Sequence, residues 1–68
     1  MPVLKVVELM SDSSTSWEEA AQTAVKRASK TIKGIRSVWV KDMSATVDKN
    51  GKIGSYRLTC KVSFEVKE

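Results

Sequence analysis

The chain has 68 residues, with 12 Lys and Arg against 8 Asp and Glu for a formal net charge of +4, one cysteine and no histidine. It is one domain at most, and a domain of this size buries only about 60% of the surface that its unfolded chain exposes. A disulfide is excluded, as is a zinc site of the usual kind, so self-assembly is the remaining way to complete a core.

The first segment, Val3 to Met10, is rich in Val and Leu and reads as a strand. The polar run Asp12-Ser13-Ser14-Thr15-Ser16 then predicts a turn. A helix follows. Ser16 is a suitable N-cap with Glu19 at capping-box spacing, and Thr15 with Glu18 offers the same spacing one residue earlier. Trp17, Ala20, Ala21, Ala24, Val25, Ala28 and Ile32 form one apolar stripe at helical period, mostly of alanine, which permits close approach to whatever the helix covers. Glu18 and Glu19 in the first turn and Lys30 and Lys33 in the last suit the helix dipole, and Gly34 supplies the stop.

Ile35 to Asp48 reads as a long strand. Simple alternation puts Ile35, Ser37, Trp39, Lys41, Met43, Ala45 and Val47 on one face and Val38 and Val40 on the other. One helix covers only one face of a sheet, so apolar residues on both faces predict a second cover from another subunit. Lys49-Asn50-Gly51-Lys52 carries the Asn-Gly hairpin signal. The last strand, Tyr56 to Val66, places Tyr56, Leu58, Cys60, Val62, Phe64 and Val66 toward the helix, and Arg57, Thr59, Lys61, Ser63, Glu65 and Lys67 toward water or a polar interior. The expected fold is α+β: a single βαββ domain over residues 1–68, one helix packed on a curved three-stranded antiparallel sheet.

The basic residues are scattered, which predicts a solvated surface more than a nucleic-acid site. Only 6% of the residues are aromatic, with no repeated stacking platform for bases. No apolar run approaches the ~20 residues of a membrane span, and the opening residues lack a signal-peptide pattern. A soluble, cytoplasmic protein is expected. No enzyme is expected either: there is no histidine base, Cys60 lies on the core side of a strand, and no glycine-rich phosphate loop is present.

Four features together resemble the dodecin family. They are the opening strand Lys5-Val6-Val7-Glu8-Leu9, the Ser/Thr turn into Ser16-Trp17-Glu18-Glu19-Ala20-Ala21, the run Val25-Lys26-Arg27-Ala28, and the closing Val62-Ser63-Phe64. The resemblance spans Val3 to Val66. It implies a hollow homododecamer that binds flavins (riboflavin, FMN or FAD) in pairs and stores them. One subgroup of the family binds calcium, and some members bind coenzyme A. The chain departs from the flavin-binding pattern at its best-known contacts. Ser37 takes the place of the tryptophan that stacks on the flavin, Arg57 the place of a contacting Gln, and Ser44-Ala45 that of an Arg-Gly pair. The turn Thr15-Ser16-Trp17-Glu18, Val47-Asp48 with Gly51-Lys52-Ile53, Tyr56-Arg57 and Val62-Ser63-Phe64 resemble the calcium-type subgroup.

The candidate cofactor-binding residues are therefore Ser37, Trp39 and Arg57. Trp39 lies two residues beyond Ser37, on the same face and about 6–7 Å along the strand. It is either a substitute stacking ring or an anchor at a subunit interface. Arg57 either grips a phosphate or carboxylate of a ligand or pairs with a carboxylate of the protein. Trp17, on the helix stripe, is expected as a core or interface anchor. Calcium requires six to eight oxygen ligands. Asp48-Lys49-Asn50-Gly51 has only a superficial likeness to an EF-hand loop, because Thr59 stands where the bidentate glutamate belongs. The candidate metal ligands are Asp12, Asp42 and Asp48, joined by Glu8 and Glu65 at a junction between subunits.

Overall fold

The computed structural model describes residues 2–67, so Met1 and Glu68, the ends of the expected unit, lie outside the described residues. The elements are β1 (Leu4–Ser13), α1 (Trp17–Ala28), β2 (Ile35–Val47) and β3 (Ile53–Glu65). They form the expected βαββ unit, with a three-stranded antiparallel sheet in the order β1-β3-β2. The central position of β3 accounts for its clean alternation. Leu58, Cys60 and Val62 are fully buried under the helix, while the residues between them face away.

The core is small. Ala20, Ala24 and Ala28 recur at the four-residue step that keeps them on one face of α1, and all three are buried. Their short side chains let the helix settle onto Cys60 and Val62, with Val7, Leu9 and Ile35 packed around that contact. Val7 and Leu9 stand directly across from Val62 and Cys60, so β1 contributes its odd residues to the same face.

Both ends of the helix differ from the sequence reading. Ser16 is the N-cap and its Oγ accepts from the Glu19 N–H at 3.0 Å, but the reciprocal half of the capping box is absent. The Glu19 carboxylate instead accepts from Ser13 Oγ, at 2.8 Å. Ser13 Oγ in turn accepts from the backbone N–H groups of Thr15 and Ser16. This buried serine ties the end of β1 to the start of the helix. At the other end the helix stops at Ala28, one turn short of Lys33, so Lys26 and Arg27 rather than Lys30 and Lys33 occupy its last turn. Ser29 is the C-cap and its Oγ donates to the Lys26 carbonyl. The N–H groups of Thr31 and Ile32 both close on the Ala28 carbonyl. The β-branched Thr31 and Ile32 are weak helix formers, which favours this early termination. Gly34, at φ +78°, makes the reversal into β2.

β1 and β3 are longer than expected at the helix-start end. Asp12 and Ser13 pair with Arg57 and Tyr56, and Ile53 pairs with Val47. The hairpin is not the two-residue turn that Asn-Gly most often makes. Only Gly51 takes positive φ. A three-residue loop, closed by Asp48 N–H to Lys52 O at 2.8 Å and Gly51 N–H to Asp48 O at 3.0 Å, connects the strands.

Simple alternation fails in β2. Register shifts fall between Ile35 and Ser37, Val40 and Asp42, and Thr46 and Val47. The β3 partners reveal the true faces. Ile35, Val38, Val40, Met43 and Ala45 oppose Phe64, Val62, Cys60, Leu58 and Tyr56 on the helix side. Ser37, Trp39, Asp42 and Ser44 oppose Ser63, Lys61, Thr59 and Arg57 on the outer side. The first two shifts insert one residue each into β2, Arg36 and Lys41, and move the residues downstream to the other face, so Met43 and Ala45 leave the face of Trp39; at the third the extra residue is Gly54 of β3. The helix lies over β1 and β3 and barely reaches β2, leaving Val38, Val40 and Met43 39%, 38% and 58% exposed.

Candidate functional site on the outer face of the sheet

The sheet face turned away from α1 gathers most of the chemistry of the chain. The first bulge of β2 sets Ser37 and Trp39 there together. Trp39 is 66% exposed, an unusual setting for so large an apolar group. Leu4, Val6, Ser37, Trp39, Lys61 and Ser63 line a depression of about 370 Å³. The Lys61 ammonium lies 5.5 Å from the centre of the Trp39 ring, a cation–π contact worth about 0.5–1 kcal/mol at an exposed site. The Ser37 and Ser63 hydroxyls, direct partners across β2 and β3, hydrogen-bond to each other. The result is a flat aromatic surface with a cation over it and two hydroxyls beside it. Such a site is suited to a planar ring that carries polar groups. The residues present therefore fit a flavin.

Within one chain Arg57 pairs with a carboxylate of the protein. Its Nε and Nη2 donate to Asp12 Oδ1 and Oδ2 at 2.8 and 3.2 Å, a bidentate pair across β1 and β3. This is the protein-carboxylate alternative of the sequence reading. The guanidinium holds the Asp12 carboxyl below the ordinary carboxylate range, and the carboxylate raises Arg57 in return. Lys41, the extra residue of the second bulge, reaches across β3 to Glu8 Oε2 at 3.3 Å. Arg36 pairs with Glu65 at the opposite end of the sheet. Lys61 makes no ion pair among the described residues.

The three candidate metal ligands do not converge within one chain. Asp12 is engaged by Arg57. Asp48 Oδ1 accepts from the N–H groups of Asn50 and Lys52 at 2.8 and 3.0 Å, which makes it the lock of the hairpin turn. Asp42 lies on the outer face opposite Thr59. Among the described residues no three acidic, histidine or cysteine side chains group as a metal site would need. A single chain therefore does not fit a calcium ion, which asks for six to eight oxygens.

Trp17 is the anchor that was expected. Its Nε1–H donates to the Ser44 carbonyl at 2.9 Å, and its ring meets Tyr56 edge-on at 4.8 Å. Cys60 is buried and burial pushes its thiol pKa up, as suits an inert core residue. Sequence reasoning had put Lys61 and Ser63 on the outer face without connecting them to Trp39. The connection depends on the bulged register of β2, which alternation does not reveal.

A family model described as Dodecin matches residues 3–67. The chain is 42% identical over 67 residues to the Calcium dodecin of Mycobacterium tuberculosis, covering 98% of this chain and 93% of that protein. The crystal structure of that calcium dodecin superposes with a TM-score of 0.82, covering 96% of this chain and 91% of the other. A Thermus thermophilus dodecin mutant is 32% identical over the whole of both chains, with a TM-score of 0.91. A Streptomyces coelicolor dodecin shares the fold at a TM-score of 0.92 and 22% identity, covering 98% and 94% of the two chains.

Proposed function

The chain belongs to the dodecin family, and from this premise we propose that it is a non-catalytic binding and storage protein. It assembles with copies of itself into a hollow homododecamer and holds a small cofactor on the outer face of its sheet. A flavin (riboflavin, FMN or FAD) is the first choice, with coenzyme A as a further candidate by family resemblance. The observation that carries the reading is Trp39: a largely exposed ring beside a depression, with Lys61 above it and Ser37 and Ser63 alongside. Stacking on such a ring is worth about 0.5–1.5 kcal/mol beyond the area it buries. Arg57, neutralised by Asp12, lies on the same face outside the lining of the depression. The cytoplasm is the proposed location. No helix among the described residues is long and apolar enough to cross a membrane.

The name of the calcium dodecin, at 42% identity, favours a second reading, in which assembled copies bind calcium. The ligands would be carboxylates brought together at a junction between subunits. Asp42 is the foremost of the three candidates, because Asp12 and Asp48 already have partners within the chain. Titrating riboflavin, FMN and FAD with the assembled protein, with and without calcium, separates the readings. Quenching of flavin fluorescence at micromolar protein supports the flavin reading. Its absence, together with a calcium-dependent rise in melting temperature, supports the calcium reading.

A further inference from the structure

We propose that Lys61 makes the Trp39 depression selective for planar aromatic ligands that carry a negative charge, such as a ring bearing a phosphate, over the same ring without it. The inference rests on the reading of this face as a ligand site and adds the class of ligand it takes. Lys61 stands between Glu8 on β1 and Trp39 on β2, directly across from each. Glu8 is the acid that would most simply neutralise it, yet the Glu8 carboxylate is engaged by Lys41 from the other side of β3. Both arginines of β2 and β3 are also committed, Arg57 to Asp12 and Arg36 to Glu65. The cluster of Lys41, Lys61 and Glu8 carries a net positive charge, and Asp42, the next outer-face acid along β2 and opposite Thr59, makes no ion pair with Lys61 among the described residues. The cluster's ammonium without an ion pair among the described residues is the one over the ring where a ligand would stack.

The contact between Lys61 and the ring is of the weak, exposed kind. A lysine ammonium is a point charge on a flexible four-carbon stem. It can leave the ring for the phosphate of an arriving ligand and remain close to both. A neutral ligand of the same shape gains no such partner and must displace the ammonium from the ring face. The site thus discriminates by charge as well as by shape, and Lys61 is the specificity-determining residue.

The test uses the assembled full chain and two pairs of probes, riboflavin with FMN and 1-naphthol with 1-naphthyl phosphate. Within each pair the ring is the same and only the phosphate differs. The expected result at low salt is that the phosphorylated member binds about tenfold tighter, as one charge-assisted contact would give. In Lys61→Gln this ratio falls to about one, and in Lys61→Arg it is retained. For the wild-type chain the ratio also shrinks as salt is raised, because the charge is exposed, a readout that needs no variant to assemble. Equal affinities within both pairs at low salt, or a ratio that survives Lys61→Gln, overturn the inference. If neither flavin binds but naphthyl phosphate is still preferred through Lys61, the flavin reading falls and the charge selectivity stands. If none of the four probes binds, both fall.

Discussion

Two tryptophans in this chain have opposite settings, and the difference is testable residue by residue. Trp17 is half-buried, hydrogen-bonded to Ser44 and packed edge-on against Tyr56. Trp39 is open on the outer face. Replacing Trp17 with Ala should lower the melting temperature markedly, since removing a large packed aromatic costs about 3–5 kcal/mol in a full core and somewhat less here. Trp39→Ala should leave the fold nearly as stable but weaken flavin binding more than Trp17→Ala does, judged on variants that still assemble. Equal flavin affinities for the two would remove Trp39 from the site. A second residue-scale prediction concerns Asp12. Its folded-state pKa lies below the ordinary value of 3.8 because Arg57 holds the charged form. A depressed carboxylate pKa contributes stability above the unfolded value and loses it as pH falls through the folded value. The stability gap between the wild-type chain and Asp12→Asn should therefore be full at neutral pH and close only below about pH 4, a trend that denaturant titrations at several pH values would track. The Asp12 and Arg57 pairing was one of two readings open to the sequence. Choosing between them needed the β1 to β3 register, which no local pattern carries.

At the level of elements, the signals that survived folding were the ones with a local cause. Ser16 at the N-cap, the alanine stripe, Gly34, and the alternation of β3 all report on the residue itself or on its near neighbours. The features that were not legible came from competition or from tertiary pairing. Ser29 bonds back to Lys26 and ends a helix whose apolar pattern runs on to Ile32. Ser13 takes the Glu19 carboxylate that the capping box would have used. The bulges of β2 sort its side chains in a way that only the partner strand reveals. Two substitutions probe the locks at the ends of the elements. Gly34→Ala has room for the methyl group, with Glu65 at ordinary contact distances of 3.7–3.8 Å, but its φ of +78° is strained for any L side chain. It should cost about 1–2 kcal/mol for conformational reasons alone. Asp48→Ala removes the acceptor for two backbone N–H groups in the exposed hairpin. It should cost about 1 kcal/mol, the ordinary value for such bonds, and thermal unfolding of the two variants would measure both effects.

At the scale of the whole molecule, one chain is not a finished structure. Its dimensions are 52 × 19 × 13 Å with a radius of gyration of 14.0 Å, whereas a compact domain of this length has about 11 Å. The β2–β3 hairpin extends well beyond the 12-residue helix, which covers only part of the sheet. Apolar side chains are consequently open on both faces: Val38, Val40 and Met43 beside the helix, and Leu4, Val6, Met10 and Trp39 on the outer side. Each of these half-exposed side chains forgoes about half of the ~1.5–3 kcal/mol that full burial gives, and together they forgo an amount comparable to the whole stability expected of so small a domain. Copies of the chain that cover the stripe beside the helix for one another recover part of that energy by symmetric closure, and a ligand on the outer face would cover Trp39. Light scattering should therefore report an assembly, with a mass near twelve copies of 7.5 kDa if the proposed homododecamer holds, and a melting temperature that rises with protein concentration. A well-folded species at the mass of one chain would overturn this account. The stripe beside the helix offers the sharper variant. Met43→Glu, at the most exposed residue of the stripe, places a charge that a single chain leaves largely in water but an apolar junction between subunits would have to bury. Loss of the large species with secondary structure retained, read by circular dichroism, would place that stripe in the interface. An unchanged assembly would exclude that stripe from the interface.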